Sequence, residues 1–308
     1  MIIHVAGTAR DCAEGLSERL SRLEEVLESG LGLSVCWHFF ENDSKDHTRL
    51  VLGAFCDNRP NAVLLVEEGL DARIQARESR LAFCRNALLD SVFSSEDLRA
   101  DATVPSLYMP LDLDLRIDWL GIEDELRSAV ALISEGACIG IFPSSSPKYY
   151  DIHALRAQGW NEEDAWLEVA KAKKRYPKMS RTELRRKYIH ARQLEADALR
   201  ARGRLIWVRS AFGGFGIYRL ESVRERLYES RPTDTCEHVA FNLGLERLAI
   251  LTTMRIRAPD EHLGTVAPRI GPSGWLVSAA RSALARTRML SQRARFELTR
   301  IRTGPRGK

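Results

Sequence analysis

Two acids one residue apart, Asp112 and Asp114, close the apolar run Ser106-Leu-Tyr-Met-Pro-Leu-Asp-Leu-Asp. Hard cations take oxygen ligands, so two carboxylates at the carboxyl end of a buried strand suit Mn2+ or Mg2+ held against a diphosphate, which departs readily only once its charge is neutralised. The same spacing also describes a solvated strand face. Alternation puts Leu111, Leu113, Leu115 and Ile117 on one side and Asp112, Asp114, Arg116 and Asp118 on the other. A second acidic position, Glu237-His238, offers a carboxylate able to take a proton from a hydroxyl nucleophile, or to steady positive charge at a reacting carbon. Asp151 and Arg156 are candidate ligand contacts, and equally a buried ion pair that braces a strand.

These side chains need a frame, and the alternation of patterns supplies one. Residues 2–6 read as a buried strand, 12–27 as a helix, and 34–40 as a second strand, which is the opening unit of a parallel α/β sheet. The polar run Glu41-Asn-Asp-Ser-Lys-Asp-His-Thr48 follows the second strand directly and leads into a helix over 49–57. It occupies the place where open α/β sheets bind ligands, beyond the carboxyl ends of their strands, and Ser44 or Asp46 could also cap that helix. Further strands are expected at 61–66, up to Asp112 and Asp114, and at 137–142, with helices over 76–91 and 122–135. Residues 158–203 switch to long, highly charged helices, a helical insertion, before the sheet resumes at 205–210. The turn Ala211-Phe-Gly-Gly-Phe-Gly216 and the strand 217–219 follow. The turn lies between strands, so its glycines suit a tight turn or close approach to a ligand rather than a dinucleotide fingerprint.

Six segments in order then resemble glycosyltransferases of the GT-A class, and most nearly the fungal capsule-associated, CAP59-like mannosyltransferase family. They are Phe40-Glu-Asn-Asp-Ser-Lys-Asp46-x-Thr48, Arg85-Asn86, Leu111-Asp-Leu-Asp114, Tyr149-Tyr-Asp-Ile-x-Ala-Leu-Arg156, Ser210 through Arg219, and Cys236-Glu-His-Val-x-Phe241. The resemblance covers about residues 1–250. It implies a GT-A-like, Rossmann-like mixed sheet flanked by helices and a GDP- or UDP-linked nucleotide diphosphate sugar as donor. By the same resemblance Glu41, Asp43 and Ser44 line the base and ribose, while Arg80 and Arg85 approach the diphosphate or the sugar. Asp112 bridges ribose and metal, and Asp114 ligates Mn2+ or Mg2+, with His238 or His262 completing the shell. Glu237 is the expected base, with His238 and Asp151 as further catalytic candidates, and a hexose such as mannose passes to a glycan or lipid-linked acceptor. The implied organisation is a nucleotide-sugar half over 1–157, the insertion over 158–203, an acceptor and catalytic half over 204–265, and a tail over 266–308.

With 308 residues, 44% hydrophobic and 29% charged, the chain can bury a large core, and no apolar run approaches the roughly 20 residues of a membrane span. The N-terminus lacks the pattern of a secretory signal, which sets the expectation of a cytoplasmic protein. Six scattered cysteines without a Cys-x-x-Cys pair suggest neither a zinc site nor a disulfide framework. From Arg281 onward nine basic residues face the single acid Glu297, so the modest formal charge of +4 is a property of the tail, and the rest is net negative. Such a tail suits an anionic membrane surface on the inner leaflet, the backbone of a nucleic acid, or plain solvation. Three competing readings remain: transfer onto a modified nucleic acid, a non-catalytic binding protein of the same fold, and a nucleotidyltransferase. The last is weakened because Ala6-Gly-Thr-Ala-Arg10 offers one glycine and no lysine.

Overall fold

The computed structural model describes residues 1–97, 104–117 and 119–263. The expected tail over 266–308 lies outside the described residues, as does Asp118. Residues up to Gly264 form one compact unit.

The chain forms the mixed, helix-flanked α/β sheet that its alternating pattern predicts. Strands β1 (Ile2–Ala9), β2 (Ser34–Asn42), β3 (Ala62–Glu67) and β4 (Ser106–Asp112) make a parallel half, with β1 between β2 and β4. In the other half β5 (Gly140–Ser146) and β8 (Leu248–Arg257) are parallel. The antiparallel strands β6 (Leu205–Val208) and β7 (Ile217–Arg219) lie at the edge and at the seam, giving the order β3-β2-β1-β4-β7-β5-β8-β6. Because β7 runs against β4, the glycine turn that precedes it arrives at the same edge as the carboxyl ends of β1, β2 and β4.

Period-two packing explains why the parallel strands are apolar on both faces. Ile3, Val5, Trp37, Phe39, Leu107 and Met109 pack towards α1 (Leu16–Glu25), α2 (Thr48–Cys56) and, further along the sheet, the later helix over 122–134. Ala6, Phe40 and Tyr108, on the opposite face, meet Leu88, Leu89 and Val92 of the long helix that follows the short α3 (Leu70–Arg73), namely α4 (Arg77–Asp97). Each such side chain withdrawn from water contributes about 1.5–3 kcal/mol. His4 and His38 are buried on this second face, where His4 Nδ1 and His38 Nε2 lie 3.1 Å apart and Ser91 and Glu96 engage the outer nitrogens. Burial, with His4 beside it, pushes the His38 imidazole down to about 3, so this ring stays neutral.

Three differences from the expected elements appear here. The strand into the acidic pair stops at Asp112, whose carbonyl accepts the amide of Leu115 in a turn. Leu113 turns inward against Gly7, where an added Cβ would stand 2.8 Å from Leu113 Cδ2. Asp114 therefore belongs to a loop, not to a continuing strand face. β8 was not anticipated, because its apolar stretch Leu248-Ala-Ile-Leu is short enough to suit helix or strand; pairing with β5 and β6 decides it. β5 also begins later than 137, after α5 (Ile122–Ser134).

The charged segment after residue 158 forms α6 (Ala165–Arg175), α7 (Arg181–Tyr188) and α8 (Ala196–Ala201). Asp164 caps α6 by accepting the amides of Trp166 and Leu167, and Ser180 with Glu183 makes a capping box on α7. These helices join the main core through Ala165, Ile189 and Leu199, which cluster with Phe142 and Ile250. No helix among the described residues is long and apolar enough to cross a membrane.

Candidate functional site

A cavity of about 890 Å3 opens at the carboxyl edge of β1, β2 and β4, and the acids expected to do chemistry meet on its wall. Arg85, from α4, is their connector. Its Nη2 donates to Asp112 Oδ1 at 2.7 Å and its Nε donates to Glu237 Oε1 at 3.2 Å, while Nη1 is buried without a partner among the described residues. Phe212 lies under the guanidinium, 4.8 Å from ring centroid to Cζ. Burial opposes the charge of Arg85, but Asp112 and Glu237 outweigh it and raise its pKa further, so it is a permanent cation. Nη1 is a buried donor left unsatisfied in a residue that lines the cavity.

Glu237 opens the short α9 (Glu237–Asn242) and is 3% exposed. Burial, opposed by Arg85, raises its pKa above the ordinary glutamate value. His238 stacks on Phe212 at 3.6 Å between centroids, with Tyr228 edge-on, and neither ring nitrogen has a hydrogen-bond partner. Burial first, and then the nearby Arg85, hold His238 well below the usual imidazole range, so the ring is neutral, with Glu237 Oε1 3.6 Å from its Nε2. Asp151 lines the cavity, yet its oxygens accept the amides of Ala154 at 3.2 Å and Gly213 at 2.8 Å. Its visible task is to hold the glycine turn. Arg156 is buried and engages Asp234 through Nε and Nη2, so it braces the segment leading to Glu237 and does not line the cavity.

Glycine is required in that turn. Gly213 and Gly214 have φ of +69° and +93°, and a Cβ on Gly214 would stand 2.6 Å from Leu115 Cδ1. The Gly214 carbonyl accepts the Asp112 amide at 2.8 Å, so the turn also sets the last residue of β4. Gly214→Ala is expected to cost about 1–3 kcal/mol from strained backbone and overpacking. A urea melt checks it, and an unchanged midpoint would show that the turn adapts freely.

The carboxyl end of β2 and the loop after it take a different place from the one their motif implies. Glu41 is fully buried, accepting the Ser44 amide at 2.9 Å and Arg49 Nε at 2.7 Å, and does not line the cavity. Asp43, at φ +53°, accepts the amides of Gly69 and Asp71 and so fixes the start of α3. Burial works against its charge, but Asn42 and those two amides hold its pKa below the usual range. Ser44 accepts the Asp11 amide. Ser44 thus ties this segment to the loop after β1, Asp43 ties it to the loop after β3, and Glu41 holds it to α2, while Asn42 lines the cavity. Arg80 does line it, steadied by the carbonyls of Ile74 and Gln75.

The expected metal set of Asp112, Asp114, His238 and His262 lines one cavity but is not a ready coordination sphere. Among the described residues no three His, Cys, Asp or Glu side chains converge as a metal group. His238 stands beside the Arg85 cation, and His262 is exposed and stacks on Tyr150. The two carboxylates are a better fit. Both line the cavity, Asp112 partly exposed and Asp114 exposed, and enclosure by the surrounding protein, then the charge of Asp112, raise the Asp114 pKa, so the pair would gain from a cation. A dication held by one or two carboxylates, with phosphate oxygens and water for the rest, matches how Mg2+ is commonly bound beside a nucleotide. Sequence reasoning missed Arg77, His153, Trp166, Arg185 and Arg257, all on the cavity wall, because isolated basic and aromatic residues in helices and strand ends carry no spacing signal.

No protein-family model matches the sequence, and a search of curated proteins finds no match. Solved structures do match. They include S. aureus TarS 1–349 in complex with UDP-GlcNAc, at 13% identity and TM-score 0.42, covering 86% of this chain and 61% of that one. The mannosyltransferase PcManGT from Pyrobaculum calidifontis, in complex with GDP-Man and Mn2+, is 12% identical with TM-score 0.47, covering 89% and 59%. Mannose-6-phosphate isomerase from Helicobacter pylori is 12% identical with TM-score 0.39, covering 82% and 97%. This chain thus spans about three fifths of the first two. With a mannosyltransferase and an isomerase both among them, and similarity this low, the matches carry no argument about activity.

Proposed function

We propose that this chain is a metal-dependent glycosyltransferase that moves a hexose from a GDP- or UDP-linked sugar to a hydroxyl acceptor. One observation carries the reading: Arg85 ties Asp112, the first acid of the cation pair, to Glu237, the candidate base, on the wall of a single cavity. In this scheme the acceptor oxygen attacks the anomeric carbon, the bond from that carbon to the diphosphate oxygen breaks, and Glu237 takes the hydroxyl proton. Arg80 and the free Nη1 of Arg85 bind donor oxygens, which suits the forked donors of guanidinium. Asp112 and Asp114 would hold the cation, which when bound neutralises the departing diphosphate as a Lewis acid.

The test is a thermal-shift panel of GDP, UDP, CDP and dTDP, each with Mn2+ and with chelator. A ligand at 100 times its Kd adds about 2.7 kcal/mol to stability, a rise of several degrees in Tm. Stabilisation by GDP or UDP that vanishes with chelator is expected. Asp114→Asn is expected to keep the ligand-free Tm and to lose the metal-dependent part of the shift. Response to no nucleotide in either condition would sink the reading.

A further inference from the structure

Besides Arg77, which lies within electrostatic reach of Asp114, three exposed arginines on the cavity wall have no part in holding the acids. Arg116 follows the β4 turn, Arg257 ends β8 and Arg185 comes from α7. None has a side-chain hydrogen bond or ion pair among the described residues. The bridge between Ile117 and Ile256 is antiparallel, so Arg116 and Arg257 stand opposite one another, with the Arg257 amide donating to the Arg116 carbonyl at 3.1 Å. Like charges directly opposite across a strand pair are unfavourable unless an anion lies with them. The insertion that supplies Arg185 also supplies Trp166, whose ring stacks on His153 at 4.7 Å and lines the same cavity. An aromatic face with a polar edge suits a sugar or polyol.

We infer that Arg116, Arg185 and Arg257 form an acceptor subsite for a phosphate-bearing glycan or polyol. The inference rests on the transferase reading for the word acceptor. A donor diphosphate would have its own charge partners in Arg80, Arg85 and a cation that Asp112 and Asp114 would hold, so this second set of arginines is left for a second anion. Guanidinium groups bind phosphate oxygens in pairs, and an arginine cluster in a concave wall concentrates anions before contact. At about 890 Å3 the cavity is near the upper end of the roughly 300–1,000 Å3 of small-molecule sites, enough for a donor and the end of an acceptor. The phosphate has two candidate sources, a soluble phosphodiester chain or a lipid headgroup, and both present the same group to the arginines.

The experiment uses the full chain saturated with Mn2+ and whichever nucleotide the panel identifies, or the free chain if none does. Binding is measured for a neutral disaccharide, for glycerophosphoglycerol, and for phosphatidylglycerol vesicles, which display that same headgroup. The variant is Arg116→Gln/Arg185→Gln/Arg257→Gln, which changes only exposed side chains; its ligand-free Tm confirms folding. Expected is glycerophosphoglycerol binding about tenfold or more tighter than the disaccharide, lost by a similar factor in the variant, with the nucleotide shift retained. Vesicle binding that falls in the variant, without soluble binding, would support the subsite and assign the lipid source; vesicle binding that survives belongs to the basic tail and does not support it. Equal binding of glycerophosphoglycerol by both proteins, or loss of the nucleotide shift in the variant, would overturn the inference. If no nucleotide binds but the arginine-dependent phosphodiester binding stands, the anion site holds and the transferase reading alone fails.

Discussion

Replacing Arg85 with leucine destabilises the protein by about 3–5 kcal/mol, a large part of the 5–15 kcal/mol that holds a typical domain folded. The reason lies in what is left behind. Glu237 is 3% exposed and Arg85 is 2% exposed, so the substitution strands a buried carboxylate beside Asp112 with no cation near it. Asp112 is partly exposed and can regain water, whereas Glu237 cannot. Arg85→Lys keeps the charge but loses the fork that reaches both acids, and is expected to fold with a smaller loss and weaker nucleotide binding. The double variant Arg85→Leu/Glu237→Leu removes the stranded charge and should recover part of the stability. Urea unfolding of the three variants checks this. A loss below about 1 kcal/mol for Arg85→Leu would mean that the cluster is solvated and does not organise the site.

Glu237→Gln is expected to lower kcat by about 100- to 10,000-fold while leaving nucleotide stabilisation in place, because general-base catalysis contributes about that much and glutamine still accepts from Arg85. The pH dependence adds a second, independent readout. Burial raises the Glu237 pKa, and only the ionised form accepts a proton. Activity should therefore fall as pH drops through a value above the 4.5 of an ordinary glutamate, and rise to a plateau above it. The variant's residual activity should lack that acid limb. Retention of both the rate and the limb in Glu237→Gln would remove Glu237 as the base and leave the proton to another group. Metal binding shares the same direction of pH dependence, since protons compete for Asp114, whose pKa is also raised. Measuring kcat at saturating Mn2+ separates the two.

Much of the fold was readable because its cause is local. β1 and β2 are apolar on both faces, α1 and α5 repeat their buried leucines and isoleucines at helical spacing, and Gly213 and Gly214 mark a turn that only a residue free to adopt positive φ accepts readily. The Asp112 and Asp114 pair and Glu237 were also visible as acids in chemically meaningful places. The segment Glu41 to Ser44 was legible as a strand end, although β2 runs on to Asn42, but not in its task. Whether a short acid faces a ligand or satisfies a neighbour's amide depends on Gly69 and Asp71, which approach from another part of the chain. β8 failed for the same kind of reason, since a four-residue apolar run takes its conformation from the strands beside it.

The sequence by itself therefore determined the alternating α/β layout, the glycine turn and which residues could act as acids, because periodicity and backbone preference are properties of neighbours along the chain. Tertiary structure alone decided that Arg85 joins Asp112 to Glu237, the latter 152 residues further along the chain than Arg85, and that Arg116 and Arg257 face one another across an antiparallel bridge. Those pairings follow from the order in which strands enter the sheet. The antiparallel β7 brings the second half of the chain to the edge where the first half ends. Charge and hydrogen bonding act over a few ångströms in space, and no spacing rule along the sequence carries that distance.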